Sequence, residues 1–296
     1  MTSSVFSTLL PAVVAVVMFG LGLELTTADF GRVASAPRAV LVVLACQIVA
    51  LPALGAGLLL ALDLPTSVAL GVVVLLASPG GAMAAVFSHL AGGDVALNIT
   101  ATAINAALSL VTMPLLIGIG VHVLGADGAG GVTVPPDKVV QLVLVVLAPA
   151  ALGMVLRHRR PELAARWDRP ARIVSIVAVC FAIVTAVGQQ AAVLLHGFLA
   201  VGGLVVLLCV LGMTIGYVVP RLARIGRPQA ISSSLEIGIH NVTLAITVCV
   251  SVLGDPQAAV VPAVYGALMF GPAAAFAWFL ARRTSDRRTE PAPVGS

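Results

Sequence analysis

The chain has 296 residues, of which 60 % are hydrophobic and 9 % are charged, with a formal net charge of +4. An ordinary soluble domain carries about 25 % charged residues, so this composition excludes a water-soluble globular protein. The arginines lie beside apolar segments, and membrane topology therefore explains the basic balance without nucleic-acid binding.

About nine apolar stretches reach the ~20 residues that a helix needs to cross a bilayer. We place them at 3–26, 38–62, 66–91, 94–124, 137–157, 171–190, 194–220, 228–253 and 256–281. The sequence therefore predicts an all-α polytopic membrane protein. Because the longest polar loop, 157–172, is too short to bury a core of its own, the function is expected to lie within the membrane.

Basic residues predict the orientation, because they are retained on the cytoplasmic side during insertion. Arginines follow the first, fifth and seventh spans and occupy the C-terminal tail, whereas Lys138 alone lies on the other side. Nine spans then place the N-terminus outside and the C-terminus in the cytoplasm, in a multi-pass protein of the cell inner membrane. The tail, residues 283–296, is polar and contains proline, so we expect it to be disordered.

Two spans contain interruptions typical of broken helices. The third holds the run Ser78-Pro79-Gly80-Gly81, and the eighth holds Gly238 among polar neighbours. A short loop with one aspartate, Asp94 or Asp255, follows each interruption and precedes another long apolar span, which suggests an internal repeat. The predicted topology orients the two units oppositely. Discontinuous helices at corresponding places in inverted repeats indicate the binding site of a transporter.

Glu236 is the only acidic residue well inside an apolar segment. An ionised carboxylate that faces hydrocarbon costs at least ~2.5 kcal/mol, so Glu236 must meet a cation, a proton or water. A broken helix leaves unpaired carbonyls before the break, and these attract cations. Glu236 with the carbonyls of Ile237 and Ile239 would form an all-oxygen environment suited to an alkali cation.

The other end of each break attracts the opposite charge, because the first amides of a helix lack partners. The amides of Ala82 and Met83, together with those after Asn241, could therefore hold a carboxylate.

The fourth span carries a polar stripe whose members are spaced by four, three, four and three residues and so share one helical face. They are Asn98, Thr102, Asn105, Ser109 and Thr112. We expect this face to look into the protein, and interhelical hydrogen bonding is the alternative to a binding role.

Gln47 and His240 are each open to more than one reading. Gln47, in the middle of the second span, could make a structural hydrogen bond or contribute to the site. His240 lies four residues from Glu236 and could be a neutral ligand, a proton carrier, a partner that holds Glu236 in place, or a satisfied core histidine.

Four runs, in this order along the chain, resemble the bile acid:sodium symporter family. They are Met18-Phe19-Gly20-Leu21-Gly22-Leu23, Ser78-Pro79-Gly80-Gly81, Asp94-Val95-Ala96-Leu97-Asn98 and Glu236-Ile237-Gly238-Ile239-His240-Asn241. The resemblance covers nearly the whole chain and implies inverted repeats with two crossed discontinuous helices. It also implies a core domain, residues 38–136 and 194–282, and a panel domain, residues 1–37 and 137–193, that moves against it. The chain would be a nine-helix bacterial member.

The resemblance further implies two sodium sites around the crossing. Asn98, Thr102 and Glu236 fall at positions of the first site. The second site would comprise Gln47, Glu236, His240 and the carbonyls of Ile237 and Ile239. Asn241 corresponds to an asparagine implicated in substrate contact.

Three features depart from the family pattern. Ala84 and Ala85 stand where many relatives have a serine or alanine and then an asparagine, so the first sodium site has fewer ligands. His240 replaces a common glutamine, and imidazole suits a hard cation less well than a carboxamide does. Met269 and Phe270 replace polar residues of the last helix, so bile acid is not expected as the physiological substrate.

These features together predict a secondary transporter, not an enzyme, that couples sodium to the inward movement of a small organic anion such as pantoate or another monocarboxylate. Proton coupling is the rival, because Glu236 beside His240 could titrate instead of binding sodium; uncoupled transport is a further alternative. A cation/proton antiporter lacks support, since there is no second intramembrane acid and no intramembrane lysine. An intramembrane enzyme or a sensor would need a motif or an output domain that the sequence lacks. The partners predicted are the organic anion and the lipid bilayer, with no nucleic acid, and the sequence indicates no oligomeric state.

Overall fold

A computed structural model describes residues 19–20, 23, 36–81, 83–126, 148–149, 151–167, 170, 173 and 191–285. Within these ranges the chain is helical, without a β-strand. The helices are α1 (Pro37–Ala61), α2 (Thr66–Ala77), α3 (Met83–Leu90), α4 (Val95–Ala126), α5 (Ala191–Leu222), α6 (Arg227–Gly238), α7 (Val242–Val252), α8 (Val260–Leu268) and α9 (Phe270–Ser285). Two shorter helical segments cover 151–159 and 161–167.

Four stretches of the described residues are long and apolar enough to cross a membrane. They are Pro37–Ala61, Val95–Val123, Phe198–Leu222 and Val260–Leu280. Their positions confirm the second, fourth, seventh and ninth predicted spans and an all-α polytopic fold. The first, fifth and sixth predicted spans lie mostly outside the described residues, so the count of nine stays a prediction. Helix α9 continues to Ser285, three residues into the predicted tail, and 286–296 lie outside the described residues.

Both predicted interruptions are present in the structure. Helix α2 ends at Ala77, Ser78 is extended, and the chain resumes as α3 at Met83. Helix α6 ends at Gly238 and α7 begins at Val242. The second break therefore comprises residues 239–241, immediately after Gly238, instead of being centred on the glycine.

The two breaks meet and hydrogen-bond to each other. Gly80 and His240 form an isolated antiparallel bridge. The amide of Gly81 donates to the Ile239 carbonyl at 2.7 Å, and the amide of Asn241 donates to the Pro79 carbonyl at 2.8 Å. Unpaired backbone groups cost several kcal/mol each in a membrane, so each break supplies the partners that the other lacks. The predicted pair of crossed discontinuous helices is thus confirmed.

Close packing of α5 against α6 positions the end of α6, where the second break begins. Gly212 and Gly216 of α5 face α6, and a Cβ at Gly216 would lie 2.8 Å from the carbonyl of Ser233. Small residues allow helices in membranes to approach at backbone distance. Around this contact a hydrophobic cluster joins α5, α6 and α8, with Leu208, Ile237 and Tyr265 among its buried members.

The distribution of polarity is that of a protein surrounded by lipid. Large apolar side chains face outward, such as Leu60 at 74 % and Leu199 at 79 % exposure. Polar side chains are buried instead, Gln47, Asn98 and Glu236 among them. This arrangement directs the chemistry to the crossing in the interior.

Little of the predicted panel domain lies within the described residues. Leu23 and Ala164 are fully buried, and Phe19 and Leu156 pack against them, so the first predicted span contacts the segment 151–167. The division into panel and core stays a prediction.

Candidate functional site

Glu236 lies one turn before the second break and is 1 % exposed. Its Oε2 accepts a hydrogen bond from the Thr102 hydroxyl at 2.5 Å. On the other side the carboxylate lies against Gly80, where a Cβ would collide with it. Glycine at position 80 therefore lets the first break lie directly against the carboxylate in the position that the structure shows.

Four buried side-chain oxygens have no hydrogen-bond partner among the described residues; one is the Ser233 hydroxyl, and the other three are amide or carboxylate oxygens around the crossing. These three are Oε1 of Gln47, Oδ1 of Asn98 and Oε1 of Glu236. Buried polar groups are normally paired, so three unpaired acceptors in one region call for a ligand. Hard cations take carboxylate, amide and carbonyl oxygens, and these atoms fit that set.

The orientation of the two amides follows from their other contacts. The nitrogen of Gln47 donates to the Ser78 carbonyl at 3.0 Å, and that of Asn98 donates to the Ser232 carbonyl at 3.1 Å. A carbonyl can only accept, so in each amide the nitrogen faces the backbone and the oxygen stays unpaired.

The backbone before the second break offers further free acceptors, and one of them is a carbonyl predicted as a ligand. The Ile237 carbonyl loses its usual helical donor, because the amide of Asn241 donates to Pro79 instead. The Ile239 carbonyl is free only in part, since it accepts from Gly81. Of the two carbonyls predicted as ligands, Ile237 is thus the more available.

His240 is 1 % exposed and is paired with Ser78, not with Glu236. Its Nδ1 lies 3.3 Å from the Ser78 carbonyl and 3.4 Å from the Ser78 hydroxyl. The hydrogen bond to the Glu236 carboxylate that the structure shows comes from Thr102, and the role of His240 stays a prediction. Gln47 and His240 converge on the same Ser78 carbonyl, a meeting point that the sequence did not predict.

The polar stripe of α4 faces the interior as expected, but its members differ in role. Asn98 and Thr102 contact α6, whereas Ser109 donates to the Ala106 carbonyl of its own helix at 2.7 Å. Asn105 is buried, and its amide nitrogen has no partner among the described residues. Interhelical hydrogen bonding is thus not the role of Ser109, and Thr112 is only partly buried.

A pair of serines supports the residues of the first predicted sodium site. This pair was not predicted from the sequence. The hydroxyls of Ser88 and Ser232 lie 2.6 Å apart, and Ser232 also donates to the Asp94 carbonyl at 2.8 Å. These bonds connect α3, α6 and the start of α4, and so position Asn98. Three consecutive serines in an apolar segment, Ser232 to Ser234, were the available signal.

The candidate anion site is described in part. Ala82 lies outside the described residues. Met83 is the first residue of α3 and is 44 % exposed. The Asn241 side-chain oxygen caps α7 by accepting from the amide of Leu244 at 3.0 Å. This leaves the Asn241 amide nitrogen as the group that can donate to a ligand.

The charge of the site favours a monovalent ion. Glu236 is the acidic side chain at the crossing, and no cluster of three or more His, Cys, Asp or Glu occurs within the described ranges. Divalent cations usually collect several carboxylates, so a single carboxylate with neutral oxygens suits an alkali cation better.

Two broken helices that cross inside the membrane around a buried carboxylate define a secondary transporter. Comparison with known proteins identifies the family: the chain belongs to the Sodium Bile acid symporter family, which it matches over residues 11–197. It is accordingly a multi-pass membrane transporter and not an enzyme. The match ends before α6, so the roles of the residues at the second break stay proposals.

Three relatives show the breadth of the family. The uncharacterized sodium-dependent transporter YocS of Bacillus subtilis (strain 168) is 27 % identical over 226 residues, 76 % of this chain and 68 % of YocS. The human ileal sodium/bile acid cotransporter is 26 % identical over 254 residues, 83 % of this chain and 70 % of the relative. The probable chloroplastic sodium/metabolite cotransporter BASS1 of Oryza sativa subsp. japonica is 27 % identical over 262 residues, 86 % of this chain and 63 % of the relative.

Proposed function

We propose that this protein is a sodium-coupled symporter that moves a small organic anion inward by alternating access. The observation that carries the proposal is the group of three unpaired buried oxygens, on Gln47, Asn98 and Glu236, around the crossing. The relatives named as sodium-dependent transporters and cotransporters support the choice of ion.

The number of unpaired oxygens favours sodium over a proton. A proton on Glu236 would satisfy one carboxylate oxygen and leave the amide oxygens of Gln47 and Asn98 without partners. A cation can bind several oxygens at once, so it compensates more of the buried acceptors.

We assign two sodium positions to these unpaired oxygens and the ligand atoms beside them. Asn98, Thr102 and Glu236 form the first, which is short of ligands because Ala84 and Ala85 offer no side-chain oxygen. The second comprises Glu236 with Gln47, His240, Ile237 and Ile239. If Nδ1 of neutral His240 donates to the Ser78 carbonyl, Nε2 carries the lone pair that an ion needs.

Charge balance explains how ions and substrate are coupled. Two sodium ions beside the single carboxylate of Glu236 leave one net positive charge, which a monocarboxylate neutralises. The ions would therefore bind first and lower the cost of bringing an anion to the helix N-termini. Met83, Ala82 and the amide nitrogen of Asn241 are the groups proposed to receive its carboxylate.

The substrate proposed is a small monocarboxylate resembling pantoate. Met269 is buried, and Phe270 stacks on Phe87 with ring centroids 6.0 Å apart, so this part of the last helices offers apolar contact. One relative is named as a probable sodium/metabolite cotransporter, which supports a substrate other than a bile acid.

Alternating access would occur by movement of the panel, residues 1–37 and 137–193, against the core, residues 38–136 and 194–282. The crossing lies in the core, so the ion and anion positions would stay fixed in one body while access changes. We place the protein in the inner membrane, with the N-terminus outside and the C-terminus in the cytoplasm.

Uptake into proteoliposomes tests the proposal. Labelled pantoate, other short-chain acids and a bile acid would be offered with a sodium gradient or a proton gradient imposed separately, and with choline in place of sodium as the control. We expect the sodium gradient alone to drive accumulation of a small acid. Accumulation driven by the proton gradient in the absence of sodium would favour proton coupling instead. The absence of sodium dependence with every acid would contradict sodium symport.

A further inference from the structure

The last turn of α6 has a defined set of satisfied and free carbonyls. The final four carbonyls of a helix lack donors within the helix, and in α6 they belong to residues 235–238. The Leu235 carbonyl accepts from the amide of Ile239 at 3.0 Å. The Gly238 carbonyl is bonded by two side chains from other helices. Within the described residues this leaves the carbonyls of Glu236 and Ile237 without donors.

The two donors to Gly238 are Tyr265 and Cys209. The Tyr265 hydroxyl donates at 2.9 Å, and the Cys209 thiol lies 3.4 Å from the same oxygen. Both side chains are 1 % exposed. A thiol is a weak donor, so Tyr265 makes the stronger of the two bonds.

Tyr265 also contacts the chain beyond the break. Its ring meets the His240 imidazole edge to face, with centroids 5.4 Å apart and an interplanar angle of 73°. One side chain of α8 thus binds the carbonyl end of α6 and packs on the histidine two residues later. It bridges both sides of the segment that carries the proposed second sodium position.

We propose that Tyr265, assisted by Cys209, is a positioning residue for the coupling ion. By occupying the Gly238 carbonyl it removes that oxygen from the ion and holds the last turn of α6 in place. The Glu236 carboxylate and the Ile237 carbonyl therefore keep a fixed geometry. Groups that orient ligands from outside commonly tune ion affinity. The inference rests on the proposed sodium symport and deepens it.

The chain contains two tyrosines, which provides a matched control. Tyr217 is partly buried and packs edge to face on Phe276 of α9, with ring centroids 6.0 Å apart. We would compare Tyr265→Phe with Tyr217→Phe by following thermal unfolding in detergent, without substrate, while sodium chloride replaces choline chloride at constant ionic strength. Ligand binding raises the melting temperature, so the titration reports sodium binding directly.

We expect Tyr265→Phe to raise the dissociation constant of sodium, fitted from the increase of the melting temperature with sodium concentration, by about two- to tenfold, the range for one lost hydrogen bond. Tyr217→Phe should leave it unchanged. A merely structural role would lower the melting temperature without sodium and leave the dissociation constant of sodium as it was. Cys209→Ala should act in the same direction more weakly, and the double variant should be non-additive because both donors share one acceptor.

The possible results separate this inference from the function on which it rests. A sodium-responsive wild type together with an unaltered dissociation constant of sodium in Tyr265→Phe would overturn the positioning role alone. A wild type without sodium response would overturn sodium symport and this inference together. If Tyr265→Phe yields no folded protein, Cys209→Ala takes its place, and an unchanged sodium requirement there would likewise overturn the role.

Discussion

At the scale of single residues, Glu236 has one oxygen that is held and one that is free. The Thr102 hydroxyl fixes Oε2 at 2.5 Å, whereas Oε1 has no donor among the described residues. A carboxylate that served only to join helices would be expected to have both oxygens paired at this depth. Its half-satisfied state is that of a ligand already positioned for a cation.

Replacing Glu236 by Gln tests this reading. The amide is close in size but carries no charge, so sodium would lose the anionic ligand proposed for it at the crossing. We expect Glu236→Gln to abolish sodium-driven uptake while the protein still inserts and purifies. Glu162→Gln, at an exposed position of the segment 161–167, should transport like the wild type. Undiminished sodium-driven uptake in Glu236→Gln would place the ion elsewhere.

At the scale of elements, each broken helix is stabilised by the other, because each supplies hydrogen-bond partners for backbone groups that the break leaves unpaired. Pro79 has no amide hydrogen, and Gly80 and Gly81 leave room for the opposing chain. The two hydrogen bonds between the breaks then replace bonds that continuous helices would have made within themselves. A cap completes the arrangement, since the Asn241 side chain accepts from the first turn of α7.

Asn241 therefore combines a capping role with a proposed substrate contact, and two substitutions separate them. Asn241→Ala should lose about 0.5–2 kcal/mol of stability through the missing cap and also weaken anion uptake. Asn241→Asp retains the accepting oxygen but adds a negative charge that repels the substrate. We expect it to melt near the wild-type temperature and to show strongly reduced uptake at saturating sodium.

The matched control for this pair is another helix cap. The Asp94 side chain accepts from the amide of Leu97 at 3.0 Å at the start of α4. Asp94→Ala should lower the melting temperature without changing the substrate concentration for half-maximal uptake. If Asn241→Asp took up the anion as well as the wild type does, Asn241 would be a cap only.

At the scale of the whole molecule, polar side chains lie in the interior and apolar side chains lie at the surface. Apolar side chains cover the surface, and the polar ones gather where the two breaks cross, as the buried Gln47, Asn98 and His240 show. Lipid as solvent accounts for this order, because a polar side chain that faced hydrocarbon would have no partner. The arginines are predicted to lie on one side of the membrane, the cytoplasmic one.

Reporter fusions at the C-terminus test the predicted orientation. The arginines 282, 283, 287 and 288 are expected to hold this end in the cytoplasm. A fluorescent protein that matures only in the cytoplasm should then be bright, and a phosphatase active only outside should be inactive at the same point. The reverse pair of results would contradict a nine-span topology with an external N-terminus.

The sequence by itself determined the broad class of the protein and the place of its breaks. Length and hydropathy of the apolar stretches indicated the spans, because a bilayer sets the length of a helix regardless of its neighbours. The run Pro79-Gly80-Gly81 and the polar cluster after Gly238 indicated the interruptions, since these residues act on the local backbone. Glu236 required a partner on energetic grounds alone.

Only the tertiary structure decided how distant residues meet. Ser78 lies opposite His240, and Tyr265 reaches the carbonyl of Gly238, although 162 and 27 residues separate them along the chain. No local spacing encodes such contacts, because they depend on how helices pack after insertion. Likewise, the predicted breaks leave backbone amides and carbonyls unpaired, and the sequence does not indicate which groups pair with them. Each break proved to be the other's partner, and three of the buried side-chain oxygens that remained unpaired are among those proposed for the ion.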